Sequence, residues 1–554
     1  MGISRRSVLT SAVAGSALAA AGASAVASPA PAEAASPPGD VVGKITVGYQ
    51  GWFAAVGDGS PINGWWHWSQ NWGQAPSPSN TAIISWPDMR EYTASYQTAY
   101  ANLGNGQPAR LFSSYDQQTV DTHFRWMQQY GCDTAALQRF NPFGGEGAIR
   151  DAMAAKVRTA AEAFGRKFYI MYDVTNWTSM QAQIKTDWTT KMRAYTSSPA
   201  YAMQNGKPVV CIWGFGFNDP GRPFAPAACL DVINWFKSQG CYVIGGVPTW
   251  WRTGVSDSRP GFGDVYRAFN MISPWMVGRA GSPADLDSYY NNVNVGDQAE
   301  CNRLGIDYQP CVMPGDLSSG HRRHGDFMWR HFYNMVRVGC QGIYISMFDE
   351  YNEGNQIAKT AESAAMQPTN FGRRALDEDG TACSSDYYLR LTADGGRMLK
   401  GQIALTPTRP TQPVVGGGNP QPPTGVVSLR ARVNGLYVCA DNAGAAPLIA
   451  NRTSVGPWEQ FDLVTLSGGN VALRARVNGL YVCADNAGAA PLIANRAAVG
   501  QWETFQLIRN SNGSVSLRAL ANNRYVQAGN AGAGPLIASV TAIGTWEQFD
   551  LVGA

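Results

Sequence analysis

Apolar and polar positions follow one rhythm between residues 41 and 405 and another after 425. In the first span, eight short apolar runs cover 45–49, 134–140, 168–173, 209–214, 242–247, 270–275, 308–313 and 342–348. They are rich in β-branched and aromatic residues, as strands buried on both faces should be. Helical patterns at 119–130, 147–164, 227–239 and 325–338 separate most of them. Eight strand–helix alternations predict an α/β fold, a (β/α)8 TIM barrel with enlarged loops.

After residue 425 the pattern repeats itself at a step of 44 residues. Val427-Ser428-Leu429-Arg430-Ala431 recurs at 471–475 and 515–519, and Trp458, Trp502 and Trp546 keep the same spacing. Short alternating runs broken by Asn-Gly and Ala-Gly turns are a β pattern with hairpin punctuation. Three such units of about four strands predict an all-β β-trefoil domain over 426–554. Residues 406–425 are rich in Pro, Gly and Thr and are expected to form a semi-extended linker between the domains.

The chain opens with Arg5-Arg6 ahead of an Ala/Gly-rich run ending near Ala27. This reads as a twin-arginine export signal, with residues 1–40 outside the fold and the mature protein secreted. No later run is long and apolar enough for a membrane span. The net charge of +3 and 15% charged residues give no reason to expect nucleic acid or an anionic membrane as partner. A monomer is expected. Ten cysteines show no zinc spacing, so neither metal nor cofactor is expected. Disulfides are permitted outside the cell, although Cys211, Cys241, Cys311 and Cys340 fall within strand patterns where a buried thiol fits equally well.

Candidate chemistry lies where predicted strands end, because barrel sites are built there. The last run passes into Asp349-Glu350-Tyr351-Asn352-Glu353-Gly354. A buried strand cannot continue through three carboxylates, so the chain must emerge there and present Glu350 and Glu353 together. Paired carboxylates are what glycoside hydrolysis needs. Adjacent acids also repel, which favours one keeping its proton as an acid catalyst must. A spacing of three residues brings both to one side if the loop turns helically. Asp173 with Glu350, from different strands, is a second possible pair. Aromatic and polar residues at the other mouths complete a cleft suited to a neutral oligosaccharide. The substrate-binding candidates are Tyr49, Trp52, His67, Trp68, Arg139, Asp173, Trp250, Asp349, Tyr351 and Asn352. Asp116 is expected to cap the helix near residue 119. His321, His324 and His331 are expected on a solvated helix start. In the repeats, Tyr437, Asp441 and Asn442, with Tyr481, Asp485 and Asn486, are candidate glycan contacts, or else turn formers.

Residues 48–53, Tyr115-Asp116 and 348–355 resemble the barrels of glycoside hydrolase families 71 and 99, including relatives labelled xylosidase/arabinosidase. The endo-α-mannosidase branch has Trp-Asn-Glu-Trp-His-Glu-Gly-Thr where this chain has Phe348 to Asn355. The resemblance implies cleavage of α-linked glycans. It makes Glu353 the acid/base and Glu350 the base acting on the sugar 2-hydroxyl. Asp349, Tyr351, Asn352 and Asn355 depart from that pattern, which leaves the sugar open. The words Leu-Arg-Ala, Tyr-Val-Cys-Ala and Trp-Glu-Gln-Phe resemble fascin-like trefoils appended to secreted carbohydrate enzymes, which implies a polysaccharide-binding module. A polysaccharide or oligosaccharide is therefore the expected partner. The alternative function is a catalytically silent glycan-binding protein.

Overall fold

The computed structural model describes residues 36–414, 425–466, 470–510 and 514–553. The expected export signal lies almost wholly outside them, as does the stretch 415–424. They fall into two compact units, one ending at Pro413 and the other beginning at Val414. Among the described residues no helix is long and apolar enough to cross a membrane.

In the first unit, parallel strands β1 (Ile45–Tyr49), β2 (Thr134–Arg139), β3 (Lys167–Asp173), β4 (Lys207–Trp213), β5 (Tyr242–Val247) and β6 (Met271–Pro274) pair in sequence order. The seventh, β7, has two halves, Asp307–Tyr308 against β6 and Cys311–Val312 against β8 (Ile343–Ile345). Its middle is continuous: Gln309 N–H donates to Ile272 O at 2.8 Å, and Pro310 O accepts from Tyr344 N at 3.1 Å. Since β8 also pairs with β1, the sheet closes on itself. All eight apolar runs are therefore strands of one TIM-like barrel.

Helices α1 (Gln117–Gln129), α2 (Gly147–Phe164), α3 (Met180–Thr190), α4 (Pro226–Ser238) and the short α5 (Gly263–Arg267) occupy the first five crossovers. The sixth holds α6 (Pro283–Tyr289) and α7 (Val295–Leu304), and the seventh α8 (Asp326–Arg337); α9 (Tyr387–Leu399) follows β8. Inside the barrel, Gln138 Nε2 donates to the Tyr344 hydroxyl at 3.1 Å, and Gln309 Nε2 to Thr46 Oγ1 at 3.2 Å. Both pairs fill the axis with hydrogen-bonded side chains, as close packing demands. Asp116 precedes α1, but its carboxylate accepts from the Tyr96 hydroxyl (3.1 Å) and makes no cap bond.

The expected linker starts too early. Thr406 O accepts from Trp329 Nε1 (3.1 Å), Gln412 O from Arg390 Nη1 (2.8 Å), and Pro413 O from Ser384 N (3.0 Å). Arg409 pairs with Asp326 at 2.8 Å. Residues 406–413 thus belong to the barrel unit.

The second unit is an antiparallel barrel closed by six strands, 425–431, 461–465, 470–475, 505–509, 515–519 and 549–553. Three hairpins, 437–452, 481–496 and 524–540, repeat around it. Leu429, Leu473 and Leu517 and the three phenylalanines 461, 505 and 549 fill its core. The repeats interlock. Asn478 lies where a Cβ on Gly444 would sit, 2.1 Å from its Nδ2; Asn522 does the same at Gly488 (2.1 Å) and Asn434 at Gly532 (2.2 Å). Each glycine also has φ near +85°, so both its conformation and its missing side chain are required. The ten cysteines are buried thiols, and no disulfide joins any of them.

A barrel ending at Pro413 should keep its full thermal midpoint, whereas one ending at residue 405 should melt several degrees lower. It loses four or more hydrogen bonds worth about 1 kcal/mol each. Thermal melts followed by circular dichroism compare the two; equal midpoints would return 406–413 to the linker.

Candidate active site

The tip of β8 is held by a carboxylate. Asp349, fully buried, accepts Gln50 N–H and Gly51 N–H at 2.8 Å each. It thereby ties the end of the last strand to the end of the first. From α2, the buried Arg150 donates to Gln50 O (2.7 Å) and Gly51 O (3.2 Å). Burial raises the Asp349 carboxyl to about 6; the two N–H bonds and Arg150 offset part of that.

Glu350 follows, 1% exposed, and accepts from Gln50 Nε2 at 2.7 Å. Gly354 N–H donates to Glu350 O at 3.1 Å, closing one helical turn. That is the turn needed to bring side chains three apart to one side. Glu353, 6% exposed, lines a cleft of about 870 Å³.

Loops following β4 to β8 build that cleft. Its aromatic wall is Trp213, Phe217 and Trp275; the Trp213 and Trp275 rings lie 5.2 Å apart and steeply inclined. Gly246 on β5 makes room for this wall, since a Cβ there would be 2.2 Å from the Trp213 ring. Arg222 covers Trp213 at 4.5 Å and pairs with Asp219. Arg279 pairs with Asp257 at 2.8 Å. Asp316, His321 and Asn355 complete the polar lining. Both arginines are matched by carboxylates, so the cleft offers hydrogen-bonding groups without a large excess of either charge.

The residues expected from sequence separate into groups. Tyr49 and Arg139 point away from the barrel axis. Side chains alternate along a strand, and Thr46 and Gln138 are the ones bonded inside. Tyr49 instead meets His123 of α1, hydroxyl to Nδ1 at 3.0 Å. Arg139 forks onto Asp187 of α3 and also reaches Asp151 of α2 at 2.7 Å. Trp68 and Tyr351 are core residues. The Trp68 indole donates to Phe112 O at 2.9 Å and stacks on Phe53, while the Tyr351 hydroxyl donates to Lys359 O at 3.0 Å. Asn352 Nδ2 ties the loop after β8 to that after β1, through His67 O (2.6 Å) and Ala82 O (2.9 Å).

Trp52 and His67 do come together. Their rings stack at 3.8 Å, and Phe140 also stacks on Trp52 at 5.5 Å. Burial, with Arg150 nearby, holds His67 well below the usual imidazole range and therefore neutral. Asp173, on the inward face of β3, accepts from Thr175 N at 3.0 Å and lies near Glu146, whose carboxyl burial pushes up. Trp250 is half-buried against Tyr289. None of these lines the cleft at Glu353.

His321, expected on a solvated helix start, instead lines the cleft. Phe217, Asp219, Arg222, Asp257, Arg279, Asp316 and Asn355 are cleft residues that sequence reasoning missed. They occupy irregular loops; their one legible signal is position just beyond a strand.

In the repeats, Asp441 pairs with Arg452 and Asp485 with Arg496, each at 2.9 Å. Asn442 and Asn486 have φ of 49° and 48° and open the turns that carry the interlocked glycines. Tyr437 and Tyr481 lie 5.9 Å from Arg430 and Arg474. The third repeat has Gly529 and Val540 at the Asp and Arg positions, so it lacks the pair.

A family model described as "Domain of unknown function (DUF7910)" matches residues 424–550. No curated protein matches the chain. Among solved structures, the chain is similar to a GH99 endo-alpha-mannosidase from Bacteroides thetaiotaomicron, with 15% identity and a TM-score of 0.47, covering 65% of this chain and 98% of that one. A designed threefold-symmetric protein, ThreeFoil, is 25% identical with a TM-score of 0.22, over 24% of this chain and 99% of its own. An exo-beta-1,3-galactanase from Clostridium thermocellum is 16% identical with a TM-score of 0.22, over 24% and 31%.

The raised Asp349 carboxyl gives a signed pH dependence. The folded chain holds this proton up to about pH 6, whereas the unfolded chain releases it near pH 4. Asp349 therefore favours folding at pH 4 and loses that contribution as pH rises to 6. Relative to Asp349→Asn, the wild type should lose roughly 2–3 kcal/mol between pH 4 and 7. Urea unfolding of both proteins across that range measures it; a constant difference would count against the shift.

Proposed function

We propose that the chain is a secreted glycoside hydrolase acting on an α-linked polysaccharide, with Glu353 as the proton donor and Glu350 as its partner. One observation carries this reading. Two buried carboxylates share one turn at the mouth of β8, and Glu353 opens into a cleft walled by Trp213, Phe217 and Trp275. Indole faces suit the apolar faces of sugar rings, while side chains around them suit hydroxyls. The matched ion pairs of the lining favour an uncharged polyhydroxy ligand over a phosphorylated one.

In this mechanism Glu353 protonates the leaving glycosidic oxygen. Glu350, oriented by Gln50 Nε2, takes a proton from the sugar 2-hydroxyl, as the resemblance of residues 348–355 to families 71 and 99 implies. Asp349 stays outside the chemistry as the group that positions both. Trp52, His67 and Asp173 would contact the substrate only if it extends across the barrel mouth toward β1.

The repeat unit is read as a β-trefoil that holds the enzyme on polysaccharide and so raises local substrate concentration. Repeats one and two, which retain the Asp–Arg pair, are the better binding candidates. Export through the twin-arginine route fits the ten buried thiols, since a chain folded in a reducing compartment would form no disulfides.

Glu353→Gln should lower kcat by roughly 10²–10⁴ on whichever α-mannan, α-glucan, arabinan or xylan the wild type cleaves. Equal turnover would remove Glu353 as the acid. Binding without turnover by either protein would favour the silent glycan-binding alternative. In the same assays, a chain ending at Pro413 should turn over small substrates normally but be retained less on insoluble glycan; unchanged retention would remove the tethering role.

A further inference from the structure

Asn355 lines the cleft two residues after Glu353, is 3% exposed, and has no hydrogen-bond partner among the described residues on either Oδ1 or Nδ2. Buried amides are nearly always satisfied, and leaving a donor or acceptor unmet destabilises the fold. The backbone that carries this one is fixed on both sides. Arg322, itself 1% exposed, donates through Nη2 to Gly354 O and to Gln356 O, 2.8 Å each, clamping the carbonyls on both sides. Asn355 O accepts from Met347 N at 3.1 Å. The amide thus projects from a fixed backbone with its hydrogen-bonding capacity unspent, which favours selective binding.

We propose that Asn355 determines specificity by reading a vicinal diol on the sugar unit held beside Glu353. A carboxamide offers an acceptor and a donor side by side. One hydroxyl donates to Oδ1, and its neighbour accepts from Nδ2. The aromatic wall binds the ring without distinguishing its hydroxyls; the amide supplies the distinction. The inference rests on the glycan reading and goes beyond it by assigning recognition to a residue outside the carboxylate pair.

The test uses the full chain, the best glycoside substrate and its monodeoxy analogues. The wild type should reject one analogue, or two adjacent ones, by roughly 10²–10⁴ in kcat/KM, as sites built to bond a hydroxyl do. Asn355→Ala should lose most of that discrimination and raise KM for the parent about tenfold. Its thermal midpoint should stay level or rise, because an unmet buried group has been removed. If Asn355→Ala fails to fold, Asn355→Ser carries the same readout. Discrimination that survives the substitution would mean that the amide serves only structure or a water molecule, and would overturn the inference. A wild type that cleaves the parent and all its deoxy analogues alike overturns it too, while leaving the glycan reading intact. A wild type that neither binds nor cleaves any glycan overturns both.

Discussion

The carboxylate of Asp349 is the constraint on which the barrel's mouth depends. It joins residues 299 positions apart, across the seam where the last strand meets the first. Hydrogen bonds to a charged acceptor contribute about 1.5–3 kcal/mol each, and two of them offset much of the cost of burying the charge. Arg150 adds a second layer by holding the carbonyls of the same two residues from α2. Strand β1, the turn after β8 and helix α2 therefore share one small network. Gln50 belongs to it through its backbone and reaches Glu350 through its side chain. Glu350 is oriented by a group that the fold already fixes.

The repeat unit shows a different use of constraint. Each of its three glycine–asparagine contacts spans two repeats, and the one from Asn434 to Gly532 joins the first to the last. No single repeat can be satisfied alone, so closure of the ring is part of every turn. This gives a reason for the glycine that recurs at 444, 488 and 532. Where the third repeat departs, it does so as a set: Gly529 and Val540 replace the ion pair, and Gln527 bonds Ser539 at 2.7 Å where the others place a thiol beside an asparagine. The interlock is common to all three repeats, and the pair is not.

The eight strands were legible because a run that is apolar on both faces is hard to mistake when it recurs between helical patterns. The same property hid the direction of its side chains. Alternation marks which face is which only when one face is polar, and β1 and β2 offered no such mark. Tyr49 and Arg139 were therefore assigned to the cleft although they face the helices. The acidic turn was legible for the opposite reason, since three carboxylates after a buried run have few places to go. Composition misled at residues 406–413, where docking uses backbone carbonyls that any sequence possesses. Phe217, Arg222, Arg279 and His321 were hidden because irregular loops have no period to read.

What separates scaffold from site in the turn after β8 is whether a group's bonding capacity is already used. Asn352 and Asn355 are the same residue type, three positions apart, and both lie close to Glu353. The Asn352 amide nitrogen is committed to His67 O and Ala82 O, so it holds two loops together. Asn355 is held by its backbone and keeps its amide unspent. Residue type and position cannot tell these roles apart, which is why Asn352 is among the substrate-binding candidates that the sequence offers. Partners can. Most buried polar groups in a folded chain find a partner, and Asn355 differs from Asn352 in that neither end of its amide has one among the described residues. A group left unsatisfied at a cleft is best explained by something the cleft receives.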